Sequence, residues 1–191
     1  MQDEDILPDP VTYISVLKAC GSIGTIDKGK QLHAKIASEA SLEENLQISN
    51  VLIDMYAGSG MLSEAHVVFI KIVTRDLTLW TSLIQGYSQF GKYDSVFNSL
   101  NRMTGEGIEP NMITFLVVLS ACSSSGLVDE GQLCFEAMTT GYGIAPTVEH
   151  YTCMIDLFSR AGHSCKVIAI IHELPTNSNI EAWTDLLVRC L

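Results

Sequence analysis

Thr12-Tyr13-Ile14-Ser15-Val16-Leu17-Lys18-Ala19-Cys20 returns 102 residues later as Thr114-Phe115-Leu116-Val117-Val118-Leu119-Ser120-Ala121-Cys122. In each copy the apolar residues fall at i, i+3, i+4 and i+7 (Tyr13/Val16/Leu17/Cys20 and Phe115/Val118/Leu119/Cys122), the spacing of one helical face. The same offset carries Gly24 to Gly126, Asp27 to Asp129 and Gly29 to Gly131. It also carries Leu52-Ile53-Asp54-Met55-Tyr56 to Met154-Ile155-Asp156-Leu157-Phe158. Trp80-Thr81 and Leu83-Ile84 return at an offset of 103 as Trp183-Thr184 and Leu186-Leu187. Three dissimilar segments recurring in one order define a long-period repeat.

A shorter period lies inside the long one. Further quartets with the same spacing are Trp80/Leu83/Ile84/Tyr87, Tyr151/Met154/Ile155/Phe158 and Trp183/Leu186/Leu187/Cys190, with Ser49/Leu52/Ile53/Tyr56 completing the set. Glycines 24, 60, 91, 126 and 162 then stop the first helix of each unit. Second quartets follow at Ala65/Val68/Phe69/Ile72, Val96/Ser99/Leu100/Met103, Gly131/Cys134/Phe135/Met138 and Val167/Ile170/Ile171/Leu174. The five prolines (8, 10, 110, 146, 175) sit at or near unit boundaries, where they disfavour a continuous helix. The pattern predicts an all-α fold, a right-handed α-solenoid of stacked helix-turn-helix hairpins. One hairpin cannot bury its apolar face alone, whereas stacked neighbours share a core. The landmarks divide the chain into 1–9 (the end of a preceding repeat), 10–45, 46–76, 77–111, 112–147, 148–179 and 180–191. Both ends cut through a repeat, so the Trp183 and Leu187 end is expected to be a sticky surface.

Composition narrows the function classes. The chain has 191 residues, 47% hydrophobic and 17% charged, which is too apolar for a disordered segment. Its best apolar stretch, Ile113 to Cys122, is far short of the ~20 residues that span a bilayer, so no membrane partner is expected. Twenty-two acidic and 11 basic residues give a formal charge of -11, which argues against a generic polyanion binder. The six cysteines (20, 122, 134, 153, 165, 190) form no CxxC and read as small buried thiols, not metal ligands. The acidic start Met1-Gln2-Asp3-Glu4-Asp5 disfavours a signal or transit peptide there.

The residues also carry a family likeness. Val16-Leu17-Lys18-Ala19-Cys20 with Gln31-Leu32-His33, and Val118-Leu119-Ser120-Ala121-Cys122 with Gly126-Leu127-Val128-Asp129-Glu130-Gly131, resemble long (L) motifs of the plant pentatricopeptide repeat family. Leu52 to Ala57 with Arg75-Asp76 resembles a short (S) motif, and Trp80, Gly86-Tyr87 and Gly107-Ile108-Glu109-Pro110-Asn111 a standard (P) motif. Tyr142-Gly143-Ile144, Glu149-His150-Tyr151 and Arg160-Ala161-Gly162 are similar to a last L-to-S junction, and 180–191 to the start of an E extension. The likeness covers the whole chain. The early Trp then Leu-Gly of tetratricopeptide repeats is absent.

The resemblance implies single-stranded RNA as partner, read at roughly one base per repeat by two or three side chains. In the family the fifth residue of a motif and its last residue choose the base. Carried over, Asn50 with Asp76 reads U, Thr81 with Asn111 reads A, and Thr152 with Asn179 reads A. The L motifs place apolar Ile14 and Leu116 at the fifth position, so the footprint is any-U-A-any-A. Val11 and Ile113 fit the family's bulky second position, whereas Gln47, Thr78 and Glu149 do not. Where the family often has a phosphate-binding cation, Ser22, Gly58, Gln89 and Ser124 stand, and Arg160 alone is basic. Read without the family, Asn50, Thr81 and Thr152 are equally N-terminal capping groups.

Many relatives of this subclass end in a zinc deaminase domain, but neither its His-x-Glu nor its Pro-Cys-x-x-Cys is present. No catalytic set, cofactor or metal site is expected, and histidines 33, 66, 150, 163 and 172 read as repeat-position residues. The resemblance implies an RNA-binding adaptor in a mitochondrion or chloroplast, directing RNA processing or C-to-U editing with a deaminase-bearing factor in trans. The rival readings are a protein–protein scaffold and an inactive truncated fragment.

Overall fold

The computed structural model describes residues 8–39, 42 and 45–173. Every regular element among them is a helix, and no strand is present. The all-α class predicted by the quartets is the class observed. The chain divides into two compact units, 1–90 and 91–191.

The first unit holds α1 (Pro10–Ile23), α2 (Ile26–Ala37), α3 (Leu46–Gly58), α4 (Leu62–Lys71) and α5 (Leu77–Gln89). Asp9 caps α1 by accepting from the Thr12 N–H at 2.8 Å, and Pro10 stands where a missing N–H costs nothing. Gly24 ends α1 at φ 76°, a left-handed conformation that other side chains rarely adopt. The first helices α1, α3 and α5 pack side by side, while α2 and α4 pack behind them. Central α3 is therefore covered on most sides, and Ile48, Val51, Leu52, Ile53, Met55, Tyr56 and Ala57 are all buried. Trp80 of α5 is fully buried, with its ring edge-on to Phe69 of α4 at 4.5 Å. Such a pair adds about 0.5–1.5 kcal/mol beyond the area it removes from water. Arg75 lies 4.9 Å from the Phe69 ring and donates to the Phe69 and Ile70 carbonyls at the end of α4.

Two tyrosine–histidine pairs tie a second helix to the next first helix. His33 Nδ1 lies 2.8 Å from the Tyr56 hydroxyl, and His66 Nδ1 2.8 Å from that of Tyr87. Val16 departs from its quartet: it is 39% exposed, because α1 packs mainly on α2 and α3 and Tyr13, Leu17 and Cys20 suffice to fill that contact.

The second unit holds α6 (Tyr93–Gly105), α7 (Met112–Ser125), α8 (Val128–Glu136), a π-helical turn (Ala137–Gly141), α9 (Val148–Arg160) and α10 (Ser164–Glu173). First helices α7 and α9 pack together, with α8 on α7 and α10 on α9. Their quartets Phe115/Val118/Leu119/Cys122 and Tyr151/Met154/Ile155/Phe158 are buried throughout. The π turn was not foreseen. There Thr139 and Thr140 hydroxyls donate to the Phe135 and Glu136 carbonyls, competing with the regular ladder.

The thiol expectation needs one correction. Cys20, Cys122 and Cys134 are buried and Cys153 half-buried, but Cys165 is exposed, on the first turn of α10 away from its Val167 and Ile170 contacts; Cys190 lies outside the described residues. Burial pushes Cys122 and Cys134 up to about 12 and Cys153 to about 11. The Trp183 and Leu187 end also lies outside the described residues.

Candidate functional site

In the first unit Asn50 stands one turn into α3, half-buried. Its Oδ1 is buried and has no hydrogen-bond partner. An acceptor left in that state costs about 1–3 kcal/mol. Thr81 occupies the matching place on α5, and its hydroxyl donates to the Leu77 carbonyl at 2.8 Å. Asp76 is exposed and caps α5, its Oδ1 accepting from the Leu79 N–H at 2.9 Å. The cap engages one carboxylate oxygen of this exposed residue, Oδ1. Val11 is 66% exposed on the first turn of α1.

In the second unit Asn111 caps α7 by accepting from the Thr114 N–H at 3.0 Å and the Thr114 hydroxyl at 3.1 Å. Ile113 is 55% exposed in the first turn of that helix. Thr152 lies one turn into α9, its hydroxyl donating to the Val148 carbonyl at 2.8 Å. Asn179 lies outside the described residues.

These positions separate the two readings left open by the sequence. Asn50, Thr81 and Thr152 are not caps, since each sits within its helix. The capping work falls to the last residue of the preceding segment: Asn45, Asp76, Asn111 and Thr147. The fifth-position residues are thereby freed from a terminal structural duty, whereas the last-position residues already have one.

The charged groups are less available than their sequence positions suggest. Arg160 Nη1 donates to the Ser123 carbonyl at 3.3 Å and lies 3.6 Å from Asp156 Oδ2. Asp156 also accepts a short hydrogen bond from the Ser123 hydroxyl. In the first unit Asp54 is the equivalent residue. Desolvation raises its carboxyl above the usual range, against a hydrogen bond from Ser82 and the nearby charge of Lys18. Glu149, on the first turn of α9, accepts from the Thr147 hydroxyl at 2.6 Å, which holds its carboxyl below the ordinary value.

The two aspartates were legible in the sequence as a pair at the 102-residue offset, but without a role. His150, read from the sequence as a repeat-position residue, is fully buried. The Nδ1 of His150 accepts from the Thr147 N–H at 3.2 Å, so its Nε2 carries the proton that it donates to the Met112 carbonyl at 2.9 Å. No offset partner marks that residue, since the place 102 residues earlier is Ile48.

Among the described residues no three His, Cys, Asp or Glu side chains are placed to hold a metal ion, and no helix is long and apolar enough to cross a membrane. A cavity of about 600 Å³ in the first unit is lined by residues such as His33, Leu52, Lys71 and Thr74, and by none of the predicted site residues. On the first helices Asn50, Thr81 and Thr152 are half-exposed residues, the Asn50 oxygen itself being buried and the two threonine hydroxyls bonded within their helices.

Comparison with known proteins places this geometry. Residues 48–77 and 113–140 match the PPR repeat, and 75–124 match the PPR repeat family. The pentatricopeptide repeat-containing protein At4g14820 of Arabidopsis thaliana is 41% identical over 185 residues, covering 97% of this chain and 26% of that protein. The chain therefore spans about a quarter of that relative's length. Among solved structures, maize PPR10 in complex with an 18-nt psaJ RNA element superposes with a TM-score of 0.74 at 21% identity, covering 87% of this chain and 25% of that one. The PPR domain of Arabidopsis thaliana protein-only RNase P 1 in complex with tRNA gives 0.70 at 14% identity, covering 94% of this chain and 99% of that one. Both neighbours are α-solenoids. Residues 48–140 thus match models of the pentatricopeptide repeat, and nearly the whole chain is similar to a plant pentatricopeptide repeat-containing protein.

Proposed function

We propose that the chain is a sequence-specific single-stranded RNA-binding adaptor that reads about one base per repeat. The supporting observation is Asn50, whose half-buried amide presents an acceptor with no partner. The final torsion of an asparagine is soft, and rotation turns that oxygen toward the solvent side. The N3–H of a uracil edge is a donor that satisfies it. Asp76, whose second oxygen is free of the cap, completes the pair for U. Thr81 and Thr152 stand at the same helical place and read purines, with Asn111 and Asn179 as the last residues of their segments. Val11 and Ile113 are exposed where they would flank a base. The RNA-bound state of PPR10 and the tRNA-bound state of the RNase P 1 PPR domain belong to proteins of the same fold.

The segment types are L for 10–45 and 112–147, S for 46–76 and 148–179, and P for 77–111, followed by an E extension. On that reading the adaptor serves C-to-U editing or processing of a mitochondrial or chloroplast transcript, with the deaminase supplied in trans. A second reading, a protein scaffold, is favoured by the charge of -11 and by the engagement of Arg160 with its own chain.

Fluorescence anisotropy with a short RNA carrying any-U-A-any-A and a scrambled RNA, at low and moderate salt, separates the two. The adaptor binds the matched RNA more tightly, and Thr81→Asn moves the middle preference from A toward C. Equal binding of both RNAs, or an unchanged preference in Thr81→Asn, refutes base reading and leaves the scaffold.

A further inference from the structure

Thr152, Asp156 and Arg160 recur every four residues along α9, and Asn50 and Asp54 do so along α3. Residues four apart share one side of a helix, so each aspartate stands one turn beyond a base-reading position. Asp156 has a cation in contact, and Asp54 has one close enough to act on its charge. Arg160 Nη1 lies 3.6 Å from Asp156 Oδ2, and Lys18 on neighbouring α1 is the charge that acts on Asp54. A serine of an adjacent first helix completes each cluster: Ser123 of α7 for Asp156, and Ser82 of α5 for Asp54. Arg160 and Asp156 keep 59% and 50% of their side-chain surface, so the pair faces solvent and is not locked in a core. The remaining residues at and one turn beyond these places (Gly58, Gln85, Gln89, Ser120, Ser124) carry no charge.

From this placement we propose that Asp156, and by repeat equivalence Asp54, is a specificity-determining residue of the RNA face, Asp156 holding Arg160 on the protein and away from RNA phosphates. The proposal rests on the RNA-binding reading above and deepens it. A groove whose cations are already neutralised gains little from the sugar-phosphate chain, so wrong sequences are not held by charge and base edges decide. The cost is affinity. The same pairing bridges successive first helices, and Asn in place of Asp keeps an oxygen for the serine hydroxyl while releasing the cation.

The test compares wild type, Asp156→Asn, Asp54→Asn and, as a control, Glu136→Gln, an exposed carboxylate on second helix α8. Each variant loses one negative charge, and a far-UV melt checks that each folds. Against matched and scrambled RNA, Asp156→Asn is expected to bind both more tightly and to discriminate between them less. For single strands each phosphate contact steepens the log–log salt slope by about 0.7, so the affinity ratio between about 50 and 200 mM salt grows about 2.5-fold per released cation. Heparin retention reads the released cation without any base, and Asp156→Asn is expected to elute at higher salt than Glu136→Gln. Equal behaviour of Asp156→Asn and Glu136→Gln in both assays overturns the proposal, as does weaker RNA binding by a folded Asp156→Asn. Asp54→Asn repeats the test on Lys18 should Asp156→Asn fail to fold. If wild type does not discriminate the RNAs while the heparin difference persists, base reading fails together with the specificity role, and only the withholding of Arg160 from polyanions by Asp156 stands.

Discussion

Gly86→Ala and Gly58→Ala make the same chemical change on adjacent first helices, with opposite expected signs. A Cβ on Gly86 of α5 would lie 2.5 Å from the Ala57 Cβ of α3 and 3.7 Å from the Leu62 Cδ2. Carbon atoms in a packed interior rest about 3.5–4.0 Å apart, so the helices must part by about 1 Å. The obstacle is a short side chain beside the backbone, which has no rotamer to move into. Overpacking of this kind costs about 1–3 kcal/mol, and alanine's better helix propensity returns about 1 kcal/mol. The net is a loss of up to about 2 kcal/mol. Gly58, at the end of α3, would place its Cβ with nothing within 4 Å, so Gly58→Ala keeps only the propensity gain of up to about 1 kcal/mol. Urea unfolding followed by far-UV circular dichroism reads the difference as a midpoint shift. At about 2–4 °C per kcal/mol for a chain of this size, a thermal melt reads it too. Because α3 and α5 carry Asn50 and Thr81, the Gly86→Ala spacing error also weakens binding of matched RNA. A Gly86→Ala variant as stable as Gly58→Ala would refute the close packing of first helices on which the base spacing depends.

Three further outcomes follow from particular contacts. Asn111→Ala removes the cap of α7 and lowers stability by about 1 kcal/mol in chemical denaturation, whereas Asn111→Asp, an equally good cap, stays within a few tenths. His150→Leu leaves the Thr147 N–H and the Met112 carbonyl without their partner, a loss of about 2–4 kcal/mol in the same measurement. Burial pushes the folded thiols of Cys122, Cys134 and Cys153 up from their ordinary 9.0 to about 12, 12 and 11. The folded state thus holds protons that the unfolded chain releases. Their contribution is fully present below pH 9 and is lost as pH rises through 11 to 12, seen as a falling urea midpoint. At neutral pH a disulfide reagent reacts with exposed Cys165 well before these three.

The fold was legible because helical spacing and glycine stops are local signals. Gly24 and Gly126 end their helices at φ 76° and 72°, where only a residue without Cβ is at ease, and the sequence states that need outright. Val16 shows the limit of periodicity, since which apolar residue remains exposed depends on how many neighbours its helix has. The site was legible only in part. Fifth positions could be counted from the repeat phase, but capping by Asp76 and Asn111 depends on where the helix begins, and boundaries shift by a residue or two in any pattern reading. The engagement of Arg160 was hidden for a different reason. Asp156, four residues earlier, was within reach of local spacing, but Ser123 is 37 residues away, and a contact set by packing between hairpins leaves no trace there. The His33–Tyr56 and His66–Tyr87 bonds, 23 and 21 residues apart, were hidden in the same way.

The most direct test of base reading is Asp76→Asn. Asparagine caps a helix as well as aspartate does, so α5 keeps its N-terminus and the melting curve stays in place. Only the group offered to the base changes. With Asn50 retained, the preference at that position of the RNA, measured by anisotropy across the four bases, is expected to move from U toward C. A preference unchanged in a variant of unchanged stability would mean that Asp76 is a helix cap and nothing more, and would contradict the account.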